Sequence, residues 1–293
     1  MFLFKLKTAA FVPAVSLMVA PAFRAPAQET NRLSPDKSGY DLFNPTPDAA
    51  MRELSPDRPD QTESPFTVDA GHCQLEMDFV NFTCDKTGGA TTRTWEAGDF
   101  NLRIGLLNQL ELSLVFDNYL HVHTDDRITG TAMTQSGVGD FTSRLKINLW
   151  GDDGGPTAFG LLPYVKFPTS TEGLGNNAVE GGVIFPLAVS LPHDFDLSLE
   201  TAASYMKNED EGGYHEEFIA SASVDHPIFG KLSGFVEVFS NFTTESHAGL
   251  VGMVDTGLEY LATKNIQLDF NCYFGVTPAA AAYNPFCGIT VRF

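Results

Sequence analysis

Beyond its N-terminal stretch the chain has no apolar run approaching the roughly eighteen residues with which a helix crosses a bilayer, so membrane-spanning helices are excluded. Basic residues are also scarce. Across 293 residues, 18 Lys and Arg face 37 Asp and Glu, a net charge of −19. That balance excludes nucleic acid as a partner, and simple adhesion to anionic lipid with it. It suits an acidic lumen, acidic loops bridged by divalent cations to surface lipid, or plain solubility. Cysteine is sparse too, with Cys73, Cys84, Cys272 and Cys287 at spacings that match no zinc site. Cys73 and Cys84 fall in one predicted strand about 36 Å apart, beyond disulfide reach. Cys272 and Cys287 flank one predicted hairpin on a shared face, either bridged or serving as small apolar side chains. No serine nucleophile motif occurs, so no catalytic residues are assigned and an enzyme is not expected.

What is present begins with an export signal. Lys5 and Lys7 precede an apolar run over residues 8–20, followed by small-residue cleavage sites at Ala20-Pro21-Ala22 and Ala25-Pro26-Ala27. Cleavage after Ala27 removes three of the 18 basic residues and no acid, so the net charge moves from −19 to −22. An exported chain without a helical anchor is either soluble outside the cytoplasm or a β-barrel, because only helices and closed barrels satisfy their backbone groups in lipid. Residues 28–68 are rich in Pro, Asp and Ser and show almost no alternation. They read as an extended segment on the periplasmic side that folds back to the barrel mouth, or as disordered chain.

From residue 69 to 293 the pattern has a period of two. In the last hairpin Ile266, Leu268, Phe270, Cys272, Phe274 and Val276 form one column, with Gln267, Asp269, Asn271, Tyr273 and Gly275 between them. The pattern resumes with Cys287, Ile289, Val291 and Phe293 against Gly288, Thr290 and Arg292. Period two is a strand with one apolar and one polar face. The runs are about ten residues long, the length with which a tilted strand crosses a membrane. Similar runs occupy residues 72–84, 92–106, from 110, 138–150, 159–167, 183–189, 196–204, 218–224, 231–241 and 250–261, with a long polar loop over 123–136. Short and longer connections alternate along the chain. The reading is therefore all-β: a transmembrane antiparallel up-and-down β-barrel of about twelve strands in the cell outer membrane. Outward phases gather Phe116, Phe141, Phe167, Tyr205, Phe274 and Tyr283 near the outer rim, and Phe159, Phe195, Tyr260 and Phe293 near the inner one. Phe293 is also the expected contact for the barrel-insertion machinery. Pro163 and Pro186 fall inside strands, where bulges or a split strand are expected.

Inward-facing charges are unevenly spread. Arg103, Arg144, Lys146 and Lys166 lie on early strands, and Glu200, Glu237, Asp255, Glu259 and Asp269 on later ones. Closing the sheet sets the two signs across the lumen from one another, as in a pore constriction. Two uses follow: passage of small polar or amphiphilic solutes by diffusion, or a plug of structural ion pairs in a structural or adhesive barrel. A lipid hydrolase is a third class, lacking its serine motif. His121 and His123 with Asp125 and Asp126 are either a metal site at the loop mouth or a solvated loop; no metal and no cofactor is assigned. The expected partners are outer-membrane lipid and a small solute.

Two stretches carry a resemblance. One is Asp57-Arg58-Pro59-Asp60-Gln61-Thr62-Glu63-Ser64-Pro65-Phe66-Thr67-Val68, with Gly71 and Gln74-Leu75-Glu76 after it. The other is Pro163-Tyr164-Val165-Lys166-Phe167-Pro168-Thr169, then Gly173-Leu174-Gly175-Asn176, Glu180-Gly181-Gly182 and Pro186-Leu187. Together they resemble a bacterial family of outer-membrane transporters labelled as the MetA pathway of phenol degradation. The likeness spans about residues 55–293, with Met77 standing where the family pattern leads one to expect glycine. It implies an outer-membrane barrel passing small or aromatic molecules, and it transfers no catalytic residues.

Overall fold

In a computed structural model, which describes residues 36–208, 212–246 and 248–293, the chain is built from strands without a helix. The expected signal peptide and residues 28–35 lie outside the described residues. The first strands are β1 (Cys73–Asp85), β2 (Ala90–Glu96), β3 (Phe100–Leu107), β4 (Leu110–Phe116), β5 (Leu120–Asp126), β6 (Thr131–Gly137) and β7 (Phe141–Trp150). They are followed by β8 (Thr157–Phe167), β9 (Glu180–Leu191), β10 (Phe195–Lys207), β11 (Tyr214–Phe229), β12 (Leu232–Thr243), β13 (Val251–Thr263), β14 (Ile266–Gly275) and β15 (Tyr283–Arg292).

Neighbours pair antiparallel from β15 back to β7, then β4, β3 and β1, and β15 pairs again with β1. The sheet is therefore a closed barrel of twelve strands. β2, β5 and β6 are not further barrel strands. They prolong β3, β4 and β7 beyond bends at residues 97–99, 117–119 and 138–140, and they pair among themselves and with the upper half of β1. The expected loop over residues 123–136 is thus mostly the hairpin β5–β6. It escapes an alternation search because both of its faces lie beyond the apolar band and both carry polar residues.

Burial is inverted relative to a water-soluble sheet. On β12, Val236 and Val238 are 58% and 55% exposed, while Glu237 between them is fully buried. Apolar columns covering the outside and charges packed inside are the signature of a wall that faces lipid. Rim aromatics complete it: Phe100, Phe116, Phe141 and Phe167 stack in sequence with ring centroids 4.9, 4.7 and 5.8 Å apart. Trp150 and Phe159 pair at the opposite rim, 4.9 Å apart.

One local expectation is corrected, and one open alternative is decided. Neither Pro163 nor Pro186 makes a bulge. Register is the same on either side of each, and only the rungs beside them are missing, because a proline removes one donor without adding a residue. Cys272 and Cys287 are free: Cys272 stands opposite Pro285 and Cys287 opposite Phe270, so the hairpin register offsets them.

Residues 36–54 and 67–72 cross the strands at the short-turn end. Gly105 of β3 hydrogen-bonds His72 and Gly71 through its backbone, at 3.0 and 2.9 Å. A Cβ at Gly105 would stand 2.2 Å from the Asp69 carbonyl oxygen and 2.5 Å from that of Val68. Gly105→Ala is therefore expected to destabilise the barrel by about 1–3 kcal/mol, because the neighbour is backbone and cannot step aside. Urea unfolding of protein in lipid vesicles measures it, with Gly39→Ala, where nothing lies within 4 Å, as the silent control.

Candidate functional site in the barrel lumen

The lumen is occupied by the chain's own residues 55–66, a compact loop whose two limbs meet at one side chain. Arg103 donates to the carbonyls of Ser55 (2.9 Å) and Phe66 (2.8 Å), to both oxygens of Glu111 (2.7 and 2.9 Å) and to Glu76 (2.9 Å). All five guanidinium N–H groups are thereby used. The Ser55 and Ser64 hydroxyls meet at 3.1 Å, and Val68 N donates to Glu111 at 2.7 Å. Below the clasp, Lys37 pairs with Asp69 (3.0 Å) and Asp153 (2.8 Å), and Arg52 with Asp153 (3.0 Å) and Asp152 (3.3 Å). Asp152 lies in the turn between β7 and β8. Burial pushes its carboxyl up to about 6, against the pull of Arg52 and of two donations from Thr67.

The tip of the loop, residues 57–63, crosses between two walls of opposite sign. Toward the basic wall it presents acids: Asp57 meets Lys146 and stands 3.3 Å from Arg103, and Glu63 meets Arg144. Toward the acidic wall it presents donors and one acid, Asp60, which lies among Glu237, Asp225 and Glu259 and is hydrogen-bonded to Ser223. Arg58 makes two bonds to Asp269 at 2.8 Å, reaches Asp78 at 2.6 Å and lies 5.7 Å from the centre of the Phe286 ring. Where no further cation is supplied, three successive backbone amides take over. Gln61 and Thr62 donate to Glu237 at 2.9 and 2.8 Å, and Glu63 to Glu200 at 2.6 Å. Consecutive amides of this kind form an anion-binding concavity. The Gln61 side chain adds a bond to Asp255 (2.6 Å), and the Thr62 hydroxyl lies 2.6 Å from that of Ser221.

Of the side chains expected to shape the lumen, Arg103, Arg144, Lys146, Glu200, Glu237, Asp255 and Asp269 converge on this loop. Two do not. Lys166 pairs with Glu180 at 2.5 Å near the long-loop rim, and Glu259 accepts a bond from Ser233 at 3.1 Å. The two walls of opposite sign bind the tip between them. Sequence reasoning carried residues 28–68 no further than the barrel mouth, whereas Asp57, Arg58 and Glu63 are bonded among the strands. The available signal was the charge density of residues 57–63, where Asp57, Arg58, Asp60 and Glu63 are four charges in seven residues. His121 and His123 sit on the outer face of β5, bonded to Ser136 and Thr134 across the hairpin at 2.7 Å each.

Cavities remain on both sides of the tip. Toward the long loops, Glu96, Asp99, Phe100 and Asp117 border a space of about 280 Å³ together with Glu63 and Arg144. Toward the short turns, the stem of the loop borders one of about 640 Å³.

A family model described as "Putative MetA-pathway of phenol degradation" matches residues 56–293. Among solved structures the chain is similar to an outer membrane channel from Pseudomonas putida F1, with a TM-score of 0.59 and 14% identity over 82% of this chain and 100% of that one. It is also similar to the transport unit of the autotransporter AIDA-I from Escherichia coli, with a TM-score of 0.50 and 12% identity over 82% and 92%. At these identities the likeness is one of fold. No curated protein sequence matches.

Proposed function

The chain belongs to the family described as the MetA pathway of phenol degradation, and from that premise we propose that it is an outer-membrane channel passing small amphiphilic solutes by diffusion. The observation that carries this reading is the arrangement of the lumen. A polar interior runs the length of a closed barrel, and a loop clasped at its stem by Arg103 divides it into two cavities. In this reading a solute passes by displacing the tip, residues 57–63, while the stem stays bound. The tip is held by polar bonds and ion pairs that a donor- or acceptor-bearing solute can exchange for its own, and the passage is too narrow for a wide aqueous pore.

A second reading is favoured by the same ion pairs: a barrel sealed by its own loop, structural or adhesive, that passes nothing. Conductance across planar bilayers separates the two. The channel reading expects small single-channel steps from the native protein. It expects several-fold larger ones from Arg144→Ala with Lys146→Ala, which frees Glu63 and loosens Asp57 on the basic side. No steps from either protein, or equal steps from both, sinks it. Absence of ester hydrolysis by the pure refolded protein tests the hydrolase class separately.

A further inference from the structure

The cavity of about 640 Å³ at the short-turn end is within the size range of small-molecule sites. Its lining is divided by chemistry. Met51, Leu54 and Phe66 of the loop stem supply apolar surface, and Ser190 and Asp196 come from the ends of β9 and β10. Two cations border it, Lys37 and Arg52, and both are already committed. Lys37 pairs with Asp69 and Asp153, and Arg52 with Asp153, Asp152, the Thr67 carbonyl and Asn108. An anionic solute would have to break those bonds to find a donor. The opposite holds for the lining carboxylates of Glu53 and Asp196. Both residues are exposed, and among the described residues neither carboxylate has a hydrogen bond or ion pair. What the cavity lacks is a donor carrying positive charge next to an apolar group.

We infer that this cavity is a binding site for small organic ammonium compounds, the apolar group lying against Met51, Leu54 and Phe66 and the ammonium answering Asp196 and Glu53. The inference rests on the channel reading for its purpose, since it names the solute class. The site itself is tested by binding without any flux, so the two fail separately. A charged donor to a carboxylate is roughly twice as strong as a neutral one, so charge as well as shape is expected to discriminate.

The experiment is isothermal titration of the full barrel in a non-ionic detergent with benzylamine, benzyl alcohol and benzoate, each blanked against detergent alone. Benzylamine is expected to bind about ten-fold tighter than benzyl alcohol, and benzoate not measurably. Asp196→Asn combined with Glu53→Gln is expected to bring benzylamine down to the level of benzyl alcohol and to leave benzyl alcohol unchanged. Both side chains are exposed and unbonded, so the variant retains its fold. Benzoate or benzyl alcohol binding as tightly as benzylamine overturns the inference. So does a double variant that binds benzylamine as the native protein does.

Discussion

Arg103→Met is expected to destabilise the barrel by about 3–5 kcal/mol, the effect of removing one partner from a buried charge network. Arg103 is fully buried and stands among Glu111, Glu76 and Asp57 while holding the carbonyls of Ser55 and Phe66. Methionine fills much of the same volume, so the loss falls on the carboxylates left facing one another and on the Phe66 carbonyl left without a donor, the Ser55 carbonyl keeping Gln74 at 3.3 Å. Urea unfolding in lipid vesicles, followed by tryptophan fluorescence, gives the number. Arg103→Lys is expected to recover less than half. It keeps the charge but not the planar fork that serves both limbs of the loop. Adding Glu111→Gln and Glu76→Gln to Arg103→Met is expected to restore part of the loss, because the stranded charges are then gone. A loss below about 1 kcal/mol for Arg103→Met would mean that the clasp does not hold the loop.

How much of this was legible beforehand depends on what each residue faces. Lipid imposes a strict rule on a strand, apolar outward at every second position, and β12 through β15 state it openly in Val236, Val238, Phe270 and Ile289. Strand number and direction followed from that rule. Outside the lipid the rule lapses. His121, Thr124, Ser136 and their neighbours pair as strands in β5 and β6 with no apolar column to announce it. Proline misled in the opposite direction: Pro163 and Pro186 signalled bulges, but a barrel wall tolerates a missing rung when the rungs on either side keep register.

The lumen was half legible. Inward phase placed Arg103, Lys146, Glu237 and Asp269 on the inner wall, because alternation fixes which way a strand residue points. It said nothing of what they meet. The loop at residues 55–66 has the composition of chain that cannot bury apolar surface, and its order comes from polar partners scattered along the sequence. Arg58 and Asp269, joined at 2.8 Å, are an example that no local pattern connects. Charge supplies the logic in retrospect. Acids at 57 and 63 match a basic wall, and Arg58 with the amides of 61–63 matches an acidic one, while Asp60 is the one mismatch, an acid set among Glu237, Asp225 and Glu259. The stretch that carries the family resemblance is thus the one that crosses the lumen of this chain.

Pinning the tip of the loop to the wall is expected to close the channel. The hydroxyls of Thr62 and Ser221 lie 2.6 Å apart, so Thr62→Cys with Ser221→Cys places two thiols within bonding reach. The background must carry serine at positions 73, 84, 272 and 287, where free cysteines would compete. If solutes and ions pass by displacing residues 57–63, oxidation is expected to cut single-channel conductance by an order of magnitude, and dithiothreitol to restore it on the same membrane. Reversal in one bilayer separates gating from misfolding, since a misfolded barrel gains nothing from reductant. Equal conductance in the oxidised and reduced states would place the path beside a static loop, with Glu237 and Asp255 as supports of that loop. Reduced conductance that stays low after dithiothreitol would trace the effect to the substitutions, and Thr62→Val with Ser221→Ala, which removes the contact without adding a bond, would then show the same loss. The expected result is the reverse for that pair. With the 2.6 Å contact gone the tip is held on the acidic side by fewer bonds, and conductance rises above the native level.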